Sequence, residues 1–113
     1  MEIMEKYIKA AEDHSKGTSS GDSRKTNSAY RRIDKIFREL KANNQLNLLL
    51  RLVDHKSIGV RMWAATHLLP YNEEAGLKVL KEIEKNHTED LHGFDAKMTI
   101  QEWKKGNLTY LIE

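Results

Sequence analysis

The 113-residue chain has no cysteine and a single proline, Pro70. Without thiols, disulfides and zinc sites built on thiolates are excluded. With one proline, little interrupts long stretches of helix-forming residues. No run approaches the roughly twenty consecutive apolar residues that a membrane-spanning helix needs. The opening stretch, MEIMEKYIKAAEDHS, has four acids and two lysines among its first thirteen residues and no uninterrupted apolar core of the kind a secretory signal carries. The expected location is therefore cytoplasmic, with no membrane association. What is present is 39% apolar and 32% charged residues, the balance of a soluble folded chain rather than a disordered tail. Length alone argues for a single domain over 1–113.

The net charge of +2 conceals an uneven distribution. Residues 1–13 carry two basic and four acidic side chains, 14–61 carry eleven and four, and 62–113 carry six and nine. The middle is therefore basic and the carboxyl half mildly acidic. Such asymmetry suits an acidic partner or a nucleic-acid backbone, although Lys and Arg also populate the wet face of any helix.

Periodicity predicts an all-α chain of about six helices, near 3–15, 23–42, 45–54, 57–69, 72–86 and 90–105. In the first, Met4, Tyr7, Ile8 and Ala11 form a stripe. The stretch Gly17–Gly21 reads as a flexible connector, and Asp22 or Ser23 caps the second helix, whose core face is Tyr30, Ile33, Phe37 and Leu40. Asn43-Asn44 ends it, because an asparagine tolerates the left-handed conformation. Leu46, Leu48, Leu49, Leu50, Leu52 and Val53 are apolar almost all round, which predicts a sandwiched helix. Val60, Trp63, Ala64, His67 and Leu68 share a face of the fourth. Leu77, Leu80 and Ile83, near Gly76 and Val79, do so in the fifth. The sixth offers two overlapping stripes, Leu91/Phe94/Met98/Trp103 and Ala96/Ile100/Trp103, with Gly106 as its stop. The apolar tail 108–112 is expected to pack or to contact another chain.

The pattern of Leu49, Leu52, Val53 and Asp54 followed by Val60, Arg61, Ala64, Ala65 and Leu68 resembles a HEAT-like repeat unit. Small Ala64 and Ala65 allow neighbouring helices to approach. Arg61 is positioned to tie the turn through Asp54 or through a carbonyl at the end of the preceding helix, making Asp54 and Arg61 a structural turn pair. The Asp54-to-Val60 spacing is one residue longer than the commonest version, and 73–103 lacks a clear Val-Arg copy. Stacked antiparallel hairpins of this kind would form a short right-handed α-α superhelix.

Further residues carry a resemblance over most of the chain: Ala29-Tyr30-x-x-Ile33, the run Val60-Arg61-Met62-Trp63-Ala64-Ala65-Thr66-His67-Leu68-Leu69-Pro70, and Ala96-x-x-Thr99-x-x-Glu102-Trp103-x-x-Gly106. On these the chain resembles the bacterial family called domain of unknown function two thousand and nineteen, whose fold is HEAT-like. The resemblance brings no catalytic residues. It implies, through the gene neighbourhoods of family members, an immunity protein that neutralises a cognate toxin.

Catalytic chemistry finds no constellation. His14, His55, His67, His87 and His92 lack the His-Glu-x-x-His spacing of a helical zinc site. His87 and His92 beside Glu89 and Asp90 make a loose cluster that a metal could use, but a capped loop explains the same residues. His67 falls on a buried-type face, as a core imidazole. There is no nucleophile elbow or phosphate-binding loop, and the acid pairs Glu73-Glu74 and Glu89-Asp90 sit at helix starts, where the dipole accounts for them. The expectation is no enzyme and no cofactor. Base-excision chemistry would need an aromatic cleft with a carboxylate; Trp63, Trp103 and Asp95 are the nominal candidates, yet both tryptophans fall at core periodicity.

Binding is the remaining class. A protein partner such as a toxin could meet the acidic residues Glu82, Glu84, Glu89, Asp90 and Asp95, or, if the partner is acidic, Arg31, Arg32, Lys35 and Arg38. Alternatively, a nucleic acid would meet the basic second helix, including Arg24, Lys25 and Lys41. A third possibility is a self-associating scaffold using Tyr110–Ile112. The sequence leaves the partner, its surface and the oligomeric state open.

Overall fold

The computed structural model describes residues 2–113. Among these residues there are five α-helices, α1 (Ile3–Ser20), α2 (Ser23–Ala42), α3 (Ile58–Leu68), α4 (Glu73–Asn86) and α5 (Leu91–Lys104), with one 3-10 helix, Leu46–Leu52, between α2 and α3 and another, Thr109–Leu111, after α5. The described residues contain no strand, so the chain is all-α. Its backbone clusters into two compact units, 1–48 and 49–113.

In the first unit, α1 and α2 form an antiparallel hairpin. Met4, Tyr7, Ala10 and Ala11 are buried on α1, and Ala29, Ile33, Ile36, Phe37 and Leu40 on α2. Tyr30, expected in that core, is instead 43% exposed. It lies at the edge of the apolar arc, and Ala29 and Ile36 occupy the buried positions.

The largest correction concerns 17–21. α1 does not stop near Lys16 but continues to Ser20, because Gly17 is a contact surface rather than a breaker. It is buried, and a Cβ there would lie 2.5 Å from Thr26 Oγ1 and 2.8 Å from the Thr26 amide nitrogen. The helix ends one turn later at Gly21, with φ 72°, where Asp22 N–H donates to the Gly17 carbonyl and Gly21 N–H to that of Thr18. This double closure satisfies carbonyls that would otherwise lack partners, and it needs the left-handed geometry that glycine adopts freely. Asp22 then caps α2 by accepting from Lys25 N–H at 3.1 Å. Asn44, with φ 57°, follows the end of α2, as expected of an asparagine there.

The segment expected as an α-helix over 45–54 is a 3-10 helix. At three residues per turn, Leu46, Leu49 and Leu52 eclipse one another along one edge, and these three are the buried ones, while Leu50 is exposed. The all-round apolar pattern therefore does not produce a sandwiched helix.

In the second unit α3 packs against α4 and α4 against α5, with a lighter contact between α3 and α5. The small-residue seam expected at Ala64 and Ala65 is formed with Gly76 of α4, where a Cβ would stand 2.6 Å from the Ala65 carbonyl oxygen and 2.9 Å from Leu69 Cδ2. Ser57, Asn72 and Asp90 cap α3, α4 and α5, accepting from the amides of Val60, Ala75, and His92 and Gly93 respectively. Gly93 meets the His87 backbone so closely that a Cβ would overlap its carbonyl. On α5, Ala96 and Ile100 form the buried stripe, and Leu111 of the tail is fully buried.

An exposed mid-helix Gly→Ala change ordinarily stabilises a protein by up to about 1 kcal/mol. At Gly76 the sign should reverse. The backbone carbonyl of Ala65 cannot swing aside as a side chain could, so Gly76→Ala should cost about 1–3 kcal/mol in urea unfolding. An unchanged or raised stability would contradict this packing.

Candidate functional site

At 100° per residue, Arg31, Arg32, Lys35 and Arg38 fall within an arc of about 120° on α2, opposite its buried residues, and all four are exposed. The structure therefore brings the basic set together. Two members are partly neutralised: Arg38 Nε donates to Asp34 Oδ2 at 3.0 Å, and an Arg32 guanidinium nitrogen donates to Asp13 Oδ2 at 3.1 Å.

Asp13 is 9% exposed and also accepts from Lys9 Nζ at 3.1 Å, so one carboxylate holds two cations from two helices. Burial raises its pKa, but the hydrogen bonds and charges of Lys9 and Arg32 outweigh that and hold it below the ordinary 3.8. Beside this junction Lys6, Lys9, Arg32, Lys35, Ile36 and Glu39 line a groove of about 270 Å³ between α1 and α2. Lys6 and Lys9 belong to the stretch whose summed charge is negative, so segment-by-segment charge reading missed them; the signal was their helical spacing on α1.

The acidic set is not brought to one face. Glu82 and Glu84, two residues apart on α4, point about 160° from each other. Glu82 is exposed and Glu84 half-buried. Asp90 is occupied as the cap of α5 and by His87, whose Nδ1 lies 2.7 Å from Asp90 Oδ2. The His87 hydrogen bond chiefly lowers the Asp90 pKa, partial burial opposes it, and the His92 and Gly93 amides assist. Glu89 and Asp95 are exposed. The His87 and His92 rings lie 6.0 Å apart, edge to face, but among the described residues no group of three or more His, Asp or Glu is arranged to hold a metal ion.

The turn pair resolves in favour of the carbonyl. Arg61 donates to the His55 carbonyl at 2.8 Å rather than to Asp54, and His55 Nδ1 accepts from Ser57 N–H at 3.0 Å. Asp54 and Arg61 both line a second groove, of about 300 Å³, with Glu82 and His87. His67 is buried beside Trp63, its ring 5.4 Å away, and burial pushes the imidazole down to about 3. Both Trp63 and Trp103 are half-buried.

Of the two stripes that the sequence offered for α5, the one through Leu91, Phe94 and Met98 is not a core face but lies exposed, and Ala96 and Ile100 are the buried pair. Leu91, Phe94 and Met98 on α5 are 71%, 53% and 38% exposed and fall within about 60° of one another around the helix. Asp95 and Glu102 border it on one side, so α5 is apolar on two opposed sides. The chain matches no family model, no curated protein and no solved structure.

Two titrations follow from these environments. Below the ordinary 6.5, the unfolded chain protonates His67 while the folded chain resists until about 3. Stability should therefore fall as pH drops through that interval, by at most about 1.4 kcal/mol per unit from this group. His67→Gln should flatten the slope of urea-unfolding free energy between pH 6.5 and 4; an unchanged slope would contradict a buried neutral imidazole. Asp13 acts lower. Its stabilisation is present above its unfolded value and disappears as pH falls through its lowered folded one. Asp13→Asn should accordingly destabilise at pH 7, by roughly 1 kcal/mol, and the difference should shrink as pH falls through the lowered titration of the folded carboxylate. Equal stabilities at pH 7 would contradict the two-cation junction.

Proposed function

We infer that this chain is a non-catalytic binding protein whose partner is another protein, and that α5 supplies the docking surface. The observation that carries the reading is the Leu91/Phe94/Met98 stripe. Apolar side chains gathered on one exposed side of a helix mark interaction surfaces more often than scattered single ones do. A helix held at both ends, by the Asp90 cap and by the turn at Gly106, presents that stripe with little ordering cost on association.

The partner class follows from the resemblance carried by Val60–Pro70 and by Ala96, Thr99, Glu102, Trp103 and Gly106: a toxin that the chain neutralises as an immunity protein. Asp95 and Glu102 along the stripe suit a partner with a cationic rim, which a phosphate-handling toxin would carry around its active site.

Co-expression with the product of each flanking gene tests this. A stable complex on purification and restored growth of cells making the toxic product are the expected results. Phe94→Ser, at a solvent-exposed position, should abolish the complex while leaving the melting temperature within about 2 °C. Neither complex nor rescue with any flanking product would overturn the toxin assignment, and a Phe94→Ser protein that still binds would move the surface away from α5.

A further inference from the structure

A different observation, in the first unit, points to a second kind of ligand. The groove between α1 and α2 gathers four cations, Lys6, Lys9, Arg32 and Lys35, around one carboxylate, Glu39, and one apolar residue, Ile36. Asp13 fixes Lys9 and Arg32 in place, each 3.1 Å from one of its oxygens, so half of the cationic lining is held before any ligand arrives. Lys6 and Lys35 have no ion-pair partner among the described residues. The same side of α2 continues outward from Lys35: Arg31 and Arg24 lie within about 40° of it, and the row extends about 16 Å along the helix. Both are exposed and without an ion-pair partner among the described residues.

The shape and chemistry of this surface specify the ligand. A row of that length exceeds what one small anion can span, whereas a nucleic-acid duplex presents on the order of ten phosphates over the same distance. No aromatic ring lines the groove. Tyr30, exposed on α2, lies off the row, on the far side of the helix from Arg32. Recognition of single strands rests on stacking bases against such rings, so the surface suits a ligand that hides its bases and offers phosphates alone. We propose that the α1–α2 hairpin binds the phosphate backbone of a nucleic-acid duplex, without sequence preference, through Lys6, Lys35, Arg31 and Arg24, with Lys9 and Arg32 as the lining cations that Asp13 holds in place. The α5 surface takes no part in this site, and the two readings stand or fall separately.

About four phosphate contacts predict a logarithmic salt slope near −3.6, so affinity should drop on the order of 100-fold between 50 and 200 mM salt. Fluorescence anisotropy of the full chain with labelled 20-base-pair DNA and RNA duplexes of two unrelated sequences measures this; the two duplexes together distinguish which nucleic acid the site takes. The double variant Lys6→Glu/Lys35→Glu should lower the slope by about 2. The same charge change on α4, Lys78→Glu/Lys81→Glu, should leave the slope unaltered. Glu39→Gln should tighten binding a few-fold, a gain that misfolding cannot mimic. Saturable duplex binding that shows these responses supports the site. It is overturned by absence of binding at 50 mM salt, by equal losses in the two double variants, or by tighter binding of poly-glutamate than of either duplex, which would make an acidic protein the occupant.

Discussion

At three places where consecutive helices meet, the backbone comes so close to its neighbour that a single methyl group has nowhere to go. Gly17 rests on Thr26 between α1 and α2, Gly76 on the Ala65 carbonyl between α3 and α4, and Gly93 on the His87 backbone where α4 gives way to α5. Glycine within a helix costs roughly 0.5–1 kcal/mol relative to alanine, so each site trades local helix stability for a close approach that no other residue permits. Close packing at native density transmits this constraint to the surrounding side chains. Each unit has its own fully buried side chains, Tyr7 and Phe37 in the first and Leu68 and Leu80 in the second.

That constraint also explains which parts of the architecture were legible beforehand. Caps depend on a single side chain and its own amides, so Asp22 could be read from the sequence as one of two candidates, and the helix starts at Ser57, Asn72 and Asp90 fell where the caps are. The left-handed residue at Asn44 and the stop at Gly106 were legible too. Gly17 was not. A glycine followed by Thr-Ser-Ser-Gly looks like a connector, and only Thr26, brought across the hairpin, converts it into packing. The 3-10 segment was obscured for a related reason. Leu46, Leu49 and Leu52 recur every three residues, but Leu48 and Leu50 between them fill the apparent circumference and mimic a buried α-helix. On α5 both apolar stripes have acceptable helical spacing; in the fold Ala96 and Ile100 lie on the buried side with Gly93, which meets the His87 backbone, and Leu91, Phe94 and Met98 lie outside.

Charge shows the same dependence on three-dimensional placement. Summed by segment, Lys6 and Lys9 belong to an acidic stretch; placed on α1, they join Arg32 and Lys35 across a groove. The acidic candidates go the other way, since helical phase separates Glu82 from Glu84 and capping engages Asp90. What the resemblance to a family of unknown function contributed was a partner class, and the exposed stripe with Asp95 at its border gives that idea a surface.

The central claim is that a preformed helical body docks a protein partner through α5 without refolding. Amide hydrogen exchange of the chain, free and bound to its co-expressed partner, addresses this most directly. The account predicts slowed exchange concentrated around 91–98 together with already slow, unchanged exchange in the α3–α4 core around Ala64, Ala65 and Leu80. Protection that arises throughout α3–α5 only on binding, or a footprint that leaves 91–98 untouched, would contradict it.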